Sequence, residues 1–337
     1  MKVLIVTDSW HPLINGVVRT LEHTGKELEK KGHEVIFLSP QWPGLKTFPL
    51  ITYSEIRLPW NNWEVGRIIK KLKPDAIHVA TEGTLGVATK IFCHFNKMHY
   101  SSSYHTKTPE YIKSRYPWFN VAWGYWYMKW LHKTSKAVLV TTPSMKEELF
   151  KRIRHKNLVV WGRGVDLELF HPSKRTIDYH SQSLPLLLYV GRISIEKNLE
   201  AFLSLPNTLY RKIVVGDGPA RLHLEKKYNH PNTLFLGYKT GEELARVYAN
   251  SDVFVFPSMT DTFGIVMIEA NASGIPVAAF PVTGPKDFVK DGVNGYLDDK
   301  LYIAVEKAIQ LNRKSVRDFV EKNYSWEKAA TIFESIL

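Results

Sequence analysis

Cysteine is almost absent. Cys93 stands alone in 337 residues, which rules out an intrachain disulfide framework and leads us to expect a reduced, cytosolic setting. Long apolar runs are missing too: nowhere do about 18 consecutive apolar residues occur, the length a helix needs to span a bilayer. The opening Met1-Lys2-Val3-Leu4-Ile5-Val6-Thr7-Asp8 carries one positive charge and an apolar run too brief for a signal-peptide core, so it reads as a first strand. No tract of Gly, Ser, Gln or like charge is long enough to favour disorder. There is no Cys/His cluster for a metal, and the turn after the first strand lacks G-x-G-x-x-G, which weighs against a nicotinamide or flavin enzyme.

What is present describes a folded chain, 44% hydrophobic and 23% charged. Its length exceeds one ordinary domain and implies two α/β domains with a cleft between them. The formal net charge of +12 calls for an anionic partner, which nucleic acid, an anionic lipid or a phosphorylated substrate would each satisfy. Aromatic residues are concentrated between Tyr111 and Leu131.

Short β-branched runs alternate with helix-length amphipathic segments, the βαβ pattern of a parallel sheet. Strands are expected at Val3 to Thr7, Glu34 to Ser39, Asp75 to Ala80, Tyr100 to His105, Ala137 to Thr141 and Leu158 to Trp161. A helix is expected from Gly16 to Lys31, and one long helical region from Pro109 to Thr134. The pattern lapses over a Ser-, Pro- and charge-rich stretch and restarts at Leu186, with later strands at Lys212 to Val215, Thr233 to Leu236, Val253 to Pro257 and Val277 to Phe280. The expected division is a Rossmann-like domain over 1–168, a linker over 169–185, a second such domain over 186–312, and C-terminal helices over 313–337.

In open parallel sheets ligands bind beyond the carboxyl ends of the strands, so chemistry is sought in the loops that follow them. After the first strand, Gly16 opens a helix whose N-terminal amides are suited to a phosphate, although a glycine at a helix start is also ordinary punctuation. After Leu186 to Tyr189 comes Gly191-Arg192-Ile193-Ser194-Ile195-Glu196-Lys197. Its two cations, five residues apart, suit a diphosphate, and equally suit solvent. Val215-Gly216-Asp217-Gly218-Pro219 reads as a tight turn, because Pro219 removes an amide and the glycines fit neither nucleotide fingerprint. The most specific stretch is Asp261-Thr262-Phe263-Gly264-Ile265-Val266-Met267-Ile268-Glu269. A helix starting near Gly264 aims amides at an anion, between carboxylates able to accept from sugar hydroxyls.

This last segment resembles the E-x7-E element of the retaining family 4 glycosyltransferases of the GT-B fold, lipid mannosyltransferases and glycolipid synthases among them, with Asp261 in place of the first Glu. Gly16, the G-R-x4-K of Gly191 to Lys197, Gly164-Val165-Asp166 before Phe170 and Pro172, and Asp291-Gly292-Val293-Asn294-Gly295 agree in order and spacing, so the likeness covers essentially the whole chain. The resemblance implies two doubly wound Rossmann-like α/β domains facing across a cleft, an acceptor-side one over 1–168 and a donor nucleotide-sugar-binding one over 186–312, with the helices of 313–337 packing back towards the first. It implies that Arg192 and Lys197 bind the donor diphosphate, Glu269 the ribose and Asp261 the transferred sugar. Phe263, Gly264 and Ile265 would then contact phosphates or sugar through backbone amides. His105, at a strand end, matches the family's active-site histidine, and Glu82-Gly83-Thr84 follows another strand. It further implies retention by front-face attack, in which catalysis comes from positioning and electrostatics. There is no D-x-D motif, so no metal cofactor is expected and the two cations take its place.

From Tyr111 to Lys136 aromatic residues mix with lysine and arginine and no acidic residue occurs. Tyr111, Lys113, Arg115, Trp118, Trp123, Trp126, Lys129 and Trp130 are therefore candidates for a surface that meets an anionic membrane, the alternative being that many of these rings are core. The sequence as a whole reads as a hexosyltransferase that uses a UDP- or GDP-linked sugar and a lipid acceptor, peripheral on the cytosolic face of a membrane. Two alternatives remain, a GT-B-fold sugar-nucleotide epimerase and a nucleic-acid-binding protein. No recognisable nucleic-acid module supports the second, and nucleic acid is not the expected partner.

Overall fold

A computed structural model describes residues 1–12, 15–50, 53–176, 184–259 and 263–337, with the side chains of 49–50, 53–56 and 114–115 outside the description. The chain divides into two compact units, residues 1–163 with 326–337, and residues 164–325. The second unit thus begins at Gly164, ahead of the stretch expected as linker, whose residues 177–183 lie outside the described ones.

The first unit runs β1 (Lys2–Val6), α1 (Gly16–Lys30), β2 (Glu34–Leu38), β3 (Thr47–Leu50), β4 (Tyr53–Pro59), α2 (Trp63–Leu72), β5 (Ala76–Val79), α3 (Thr84–Phe95), β6 (Ser101–Tyr104), α4 (Thr108–Arg115), α5 (Val121–His132), β7 (Val138–Val140), α6 (Pro143–Ile153) and β8 (Leu158–Val160). Six strands form a parallel sheet in the order β2-β1-β5-β6-β7-β8, while β3 and β4 make a separate antiparallel pair. Both sheet faces are covered. Val3 and Ile5 of β1 enter one apolar cluster with Leu21 and Leu28 of α1, and Leu4 and Val6 enter another with Val65 and Ile69 of α2, as the two-residue period of a strand requires.

Three features differ from the sequence reading. The single helical region expected from Pro109 to Thr134 is two helices, because Pro117 has no N–H and cannot continue α4. Asn120 then starts α5 afresh, its Oδ1 accepting from the Ala122 amide at 2.9 Å. The β3–β4 pair was not expected, since Pro49 interrupts the first run and this pair is outside the main sheet. Nor was α2, whose Gly66 reads as a breaker but lets the ring of Phe92 from α3 come within 2.6 Å of where a Cβ would stand.

The second unit runs β9 (Leu186–Val190), α7 (Leu199–Leu203), β10 (Arg211–Val215), α8 (Arg221–Lys227), β11 (Thr233–Gly237), α9 (Gly241–Asn250), β12 (Val253–Phe256), α10 (Ile265–Ala272), β13 (Val277–Ala279), α11 (Pro285–Phe288), β14 (Gly295–Leu297), α12 (Leu301–Ala308) and α13 (Arg313–Asn323). Its parallel sheet has the order β11-β10-β9-β12-β13-β14. Leu187 and Tyr189 face one cluster and Leu188 and Val190 the other. Helix α13 is clipped on by two cations: the guanidinium of buried Arg317 donates to the carbonyls of Leu167, Phe170 and Ala272, and that of half-buried Arg313 to those of Ala249 and Ser251.

The last helix, α14 (Trp326–Glu334), belongs to the first unit. Ala329 and Phe333 join the cluster beneath α1, Glu334 pairs with Lys31 at 2.7 Å and His33 at 2.9 Å, and the Trp161 indole donates to the Ala329 carbonyl at 3.0 Å.

Candidate functional site

Each sheet changes direction of winding once, between β9 and β12 in the second unit and between β1 and β5 in the first. The crevice beyond the carboxyl ends of the strands at such a point is where doubly wound folds take ligands.

In the second unit, the loop after β9 holds exposed Arg192 and half-buried Lys197. Its shape is fixed from three directions. The Tyr189 hydroxyl donates to the Arg192 carbonyl at 2.8 Å, and Asn198 Nδ2 donates to the Pro257 carbonyl at 3.1 Å, tying the loop to the end of β12. The third support is the loop after β10. The Ile193 amide donates to the Asp217 carbonyl at 2.9 Å, the Ala220 amide returns a bond to the Ile193 carbonyl at 3.1 Å, and a Cβ on Gly216 would stand 1.9 Å from the Gly191 carbonyl oxygen. Val215 to Pro219 is thus more than a tight turn. It is the backbone against which the Arg192 loop is built, and only glycine permits the approach.

Beyond β12, Gly264 in the left-handed conformation (φ 83°) precedes α10, and Ile265 is the first residue of that helix. The Phe263 ring is buried in the core beside Tyr324, which leaves its backbone as the part that can meet a ligand. Glu269, one turn along α10, is buried, and its Oε2 accepts from the Tyr248 hydroxyl of α9 at 3.0 Å. Asp261 lies outside the described residues. Two other motifs prove architectural. Asn294 donates to Asn271 Oδ1 at 2.8 Å inside the core, and Asp166 Oδ1 caps the amides of Glu168 and Leu169.

In the first unit, Asp8 ends the loop side of β1 with its carboxylate turned inward. Oδ2 accepts from Thr81 at 2.9 Å, and Oδ1 from the Leu85 amide of α3 at 2.9 Å and from Thr84 at 3.2 Å. The anion at this helix N-terminus is the protein's own. Burial raises the Asp8 carboxyl above its ordinary pKa, with these hydrogen bonds opposing the rise. Next to it Glu82 is pushed up to about 8, mainly by burial and further by the Asp8 charge, and its Oε1 stands 4.0 Å from His132 Nε2. Gly16 is exposed at the start of α1, where Asn15 Oδ1 already takes the amides of Val17 and Val18 at 2.9 and 3.0 Å.

His105 follows β6 and is 8% exposed. Its Nδ1 lies 2.9 Å from Arg163 Nη2. Burial first, then the Arg163 charge, holds the imidazole well below its ordinary pKa, so the ring is neutral at pH 7. The rest of β6 is a polar ladder. Ser101 and Ser103, on one face, hold the two nitrogens of His78 at 2.8 and 2.7 Å, and Ser102, on the other, meets His132 Nδ1 at 2.8 Å.

A family model described as Glycosyltransferase Family 4 matches residues 14–169, and one described as Glycosyl transferases group 1 matches residues 174–327. A GDP-mannose-dependent alpha-mannosyltransferase of Mycolicibacterium smegmatis is 30% identical over 332 residues, 89% of this chain and 84% of that one. The chain belongs to glycosyltransferase family 4. An alpha-monoglucosyldiacylglycerol synthase of Acholeplasma laidlawii is 26% identical, covering 93% of this chain and 88% of its own. In fold, the family 4 glycosyltransferase resembles the Anabaena protein Alr3699/HepE, solved with UDP and glucose. The TM-score is 0.73 at 17% identity, with 99% of this chain and 98% of that chain covered. The fold is GT-B, with two Rossmann-like units, and the enzyme takes its sugar from a nucleotide.

The aromatic segment of the glycosyltransferase splits between core and surface. Tyr125 and Met128 are buried, and the Tyr125 hydroxyl donates to Glu110 at 2.7 Å. Trp118, Trp123 and Trp126 are 75%, 62% and 71% exposed, and Lys113 and Lys129 are exposed beside them. Tyr111 is half-buried, Trp130 lies half-buried under the Lys90 ammonium at 3.9 Å, and the Arg115 side chain lies outside the described ones. Among the described residues no helix is long and apolar enough to cross a membrane.

Sequence reasoning missed Asp8, Arg163, Gly216 and Tyr248. Each acts on a residue far away in the chain, and the nearest signal was position alone, Asp8 and Gly216 standing at strand ends as His105 does.

Proposed function

We propose that this glycosyltransferase moves a hexose from a UDP- or GDP-linked donor to a membrane lipid, with retention of configuration and without a metal ion. The observation that carries the lipid acceptor is the surface of α4, α5 and the turn between them. Three tryptophans there spend most of their area in solvent, with lysines around them and, from residue 111 to 136, no carboxylate. Exposed indoles beside cations suit the interface of an anionic bilayer, where ring and ammonium are both satisfied. That a relative is named as a diacylglycerol glycolipid synthase supports the same reading.

On the donor side, Arg192 and Lys197 bind the diphosphate from the loop braced by Gly216. Glu269, oriented by Tyr248, accepts from the ribose hydroxyls. Asp261 meets the transferred sugar, and the backbone at Phe263, Gly264 and Ile265 meets phosphate or sugar. His105 contacts the transferred sugar as a neutral donor. The anomeric bond to phosphate breaks as the acceptor oxygen adds from the same face, and the departing phosphate takes the acceptor's proton. The two cations stabilise the charge that develops on it.

The test is co-sedimentation with phosphatidylcholine vesicles, with and without phosphatidylglycerol. Binding is expected to the anionic vesicles at low salt, to weaken as screening increases, and to fall in a Trp123→Ala, Trp126→Ala double variant. Absence of binding at low salt would sink the lipid-surface reading.

A further inference from the structure

We propose that Arg163 is a positioning residue for His105: its guanidinium occupies Nδ1 and holds the imidazole as the tautomer protonated on Nε2, a fixed hydrogen-bond donor rather than a proton shuttle. The inference rests on the reading of His105 as a contact for the transferred sugar.

A guanidinium has donors and no acceptor, so the 2.9 Å contact between Arg163 Nη2 and His105 Nδ1 requires Nδ1 to be the unprotonated nitrogen. The proton must then sit on Nε2. Arg163 is itself fixed. It is 5% exposed, its Nη1 donates to the carbonyls of Trp161 at 2.9 Å and Gly162 at 3.2 Å, and its guanidinium carbon lies 4.6 Å from the centre of the Trp161 ring. Trp161 is anchored in turn by the Ala329 carbonyl and by Phe333, so α14 braces the ring on which Arg163 rests.

Among the described residues no carboxylate pairs with Arg163, which sets this arrangement apart from one in which an acid holds a catalytic histidine. An acid at Nδ1 would take its N–H and favour the imidazolium. An arginine there does the reverse and keeps the ring neutral. The charged and titratable groups that bear on His105 are Arg163, whose own pKa burial lowers to about 9, and His78 of β5, which burial holds neutral. Burial and the Arg163 charge both disfavour a second proton on the ring. Arg163 and His105 lie 58 residues apart, so no local pattern links them.

The experiment is ¹⁵N NMR of histidine-labelled enzyme from pH 5 to 8, with His105 assigned by the loss of its signals in His105→Ala. The wild type is expected to show an unprotonated Nδ1 and a protonated Nε2 throughout. In Arg163→Met the two tautomers should mix, whereas Arg163→Lys, which keeps a donor, should restore the single tautomer. Hydrolysis of GDP-mannose and UDP-glucose supplies the kinetic arm. With whichever donor is turned over, kcat in Arg163→Met should fall on the order of tenfold, less than the roughly 100-fold lost with a whole donor, and KM should change little. A wild-type ring protonated on Nδ1, or an Arg163→Met ring that keeps the wild-type tautomer, overturns the proposal. Full activity in His105→Ala would instead overturn the sugar-contact reading and leave the NMR result to judge Arg163 by itself.

Discussion

Glu82 and the histidines around it set opposite demands on pH. Burial raises Glu82 to about 8 and lowers His78 and His132 to about 3. An acid whose folded pKa is raised is protonated in the fold while already ionised in the unfolded chain, so stability falls with rising pH from the ordinary carboxyl value of roughly 4.3 up to about 8. A histidine whose folded pKa is depressed gives stability that is complete above its unfolded value of roughly 6.5 and is lost on acidification towards about 3. Where the windows overlap, two histidines outweigh one glutamate. The thermal midpoint should therefore fall as pH drops below roughly 6.5, and should also decline from neutral towards pH 8. The first limb is checked by melting curves across the acid range, and a midpoint that holds steady down to pH 4 would refute the neutral serine-held histidines. The second is checked with Glu82→Gln, which keeps the shape without the charge; it should remove the alkaline decline and leave the acid limb in place. Single residues at strand ends, such as His105, were legible in the sequence, because a strand end is a local feature. Their partners were not: Arg163, and Asp8 against Thr81 and Leu85, meet only after the sheet has formed.

At the scale of elements, the Arg192 loop depends on a second loop, Val215 to Pro219. A methyl group on Gly216 would stand 1.9 Å from a backbone oxygen that cannot rotate away, at a φ of 135°. Gly216→Ala should therefore cost more than ~1 kcal/mol of stability and displace the Arg192 backbone. Binding of GDP or UDP should weaken beyond what the stability loss explains, measured by calorimetry well below the melting temperature. Retained affinity in a destabilised variant would confine Gly216 to an architectural role. The alternation of strand and helix was readable because β1 and β9 bury both faces and so read as continuous apolar runs. The helix break at Pro117 was overlooked because aromatic residues continue on both sides of it. The β3–β4 pair and α2 escaped notice because Pro49 and Gly66 act locally as breakers while packing makes them acceptable.

For the whole molecule, the net charge of +12 was informative about partner class and silent about place. The structure places Arg192 and Lys197 on the loop after β9 in the second unit, and Lys113 and Lys129 beside the exposed tryptophans of the first. The two-unit GT-B plan was legible because it rests on a repeated pattern and on motifs that keep their order along the chain, and the family models match over nearly the whole chain. Arg192 and Lys197 are the proposed holders of the diphosphate. The measurement that tests this is a thermal-shift titration with GDP and UDP, each with and without EDTA, on the wild type and on an Arg192→Gln, Lys197→Gln double variant. A ligand that binds only the folded state raises the midpoint. One of the two diphosphates is expected to stabilise the wild type equally well with and without chelator, and the double variant should lose that shift while melting at the wild-type temperature without ligand. A shift that EDTA abolishes, or one that survives in the double variant, would contradict the account.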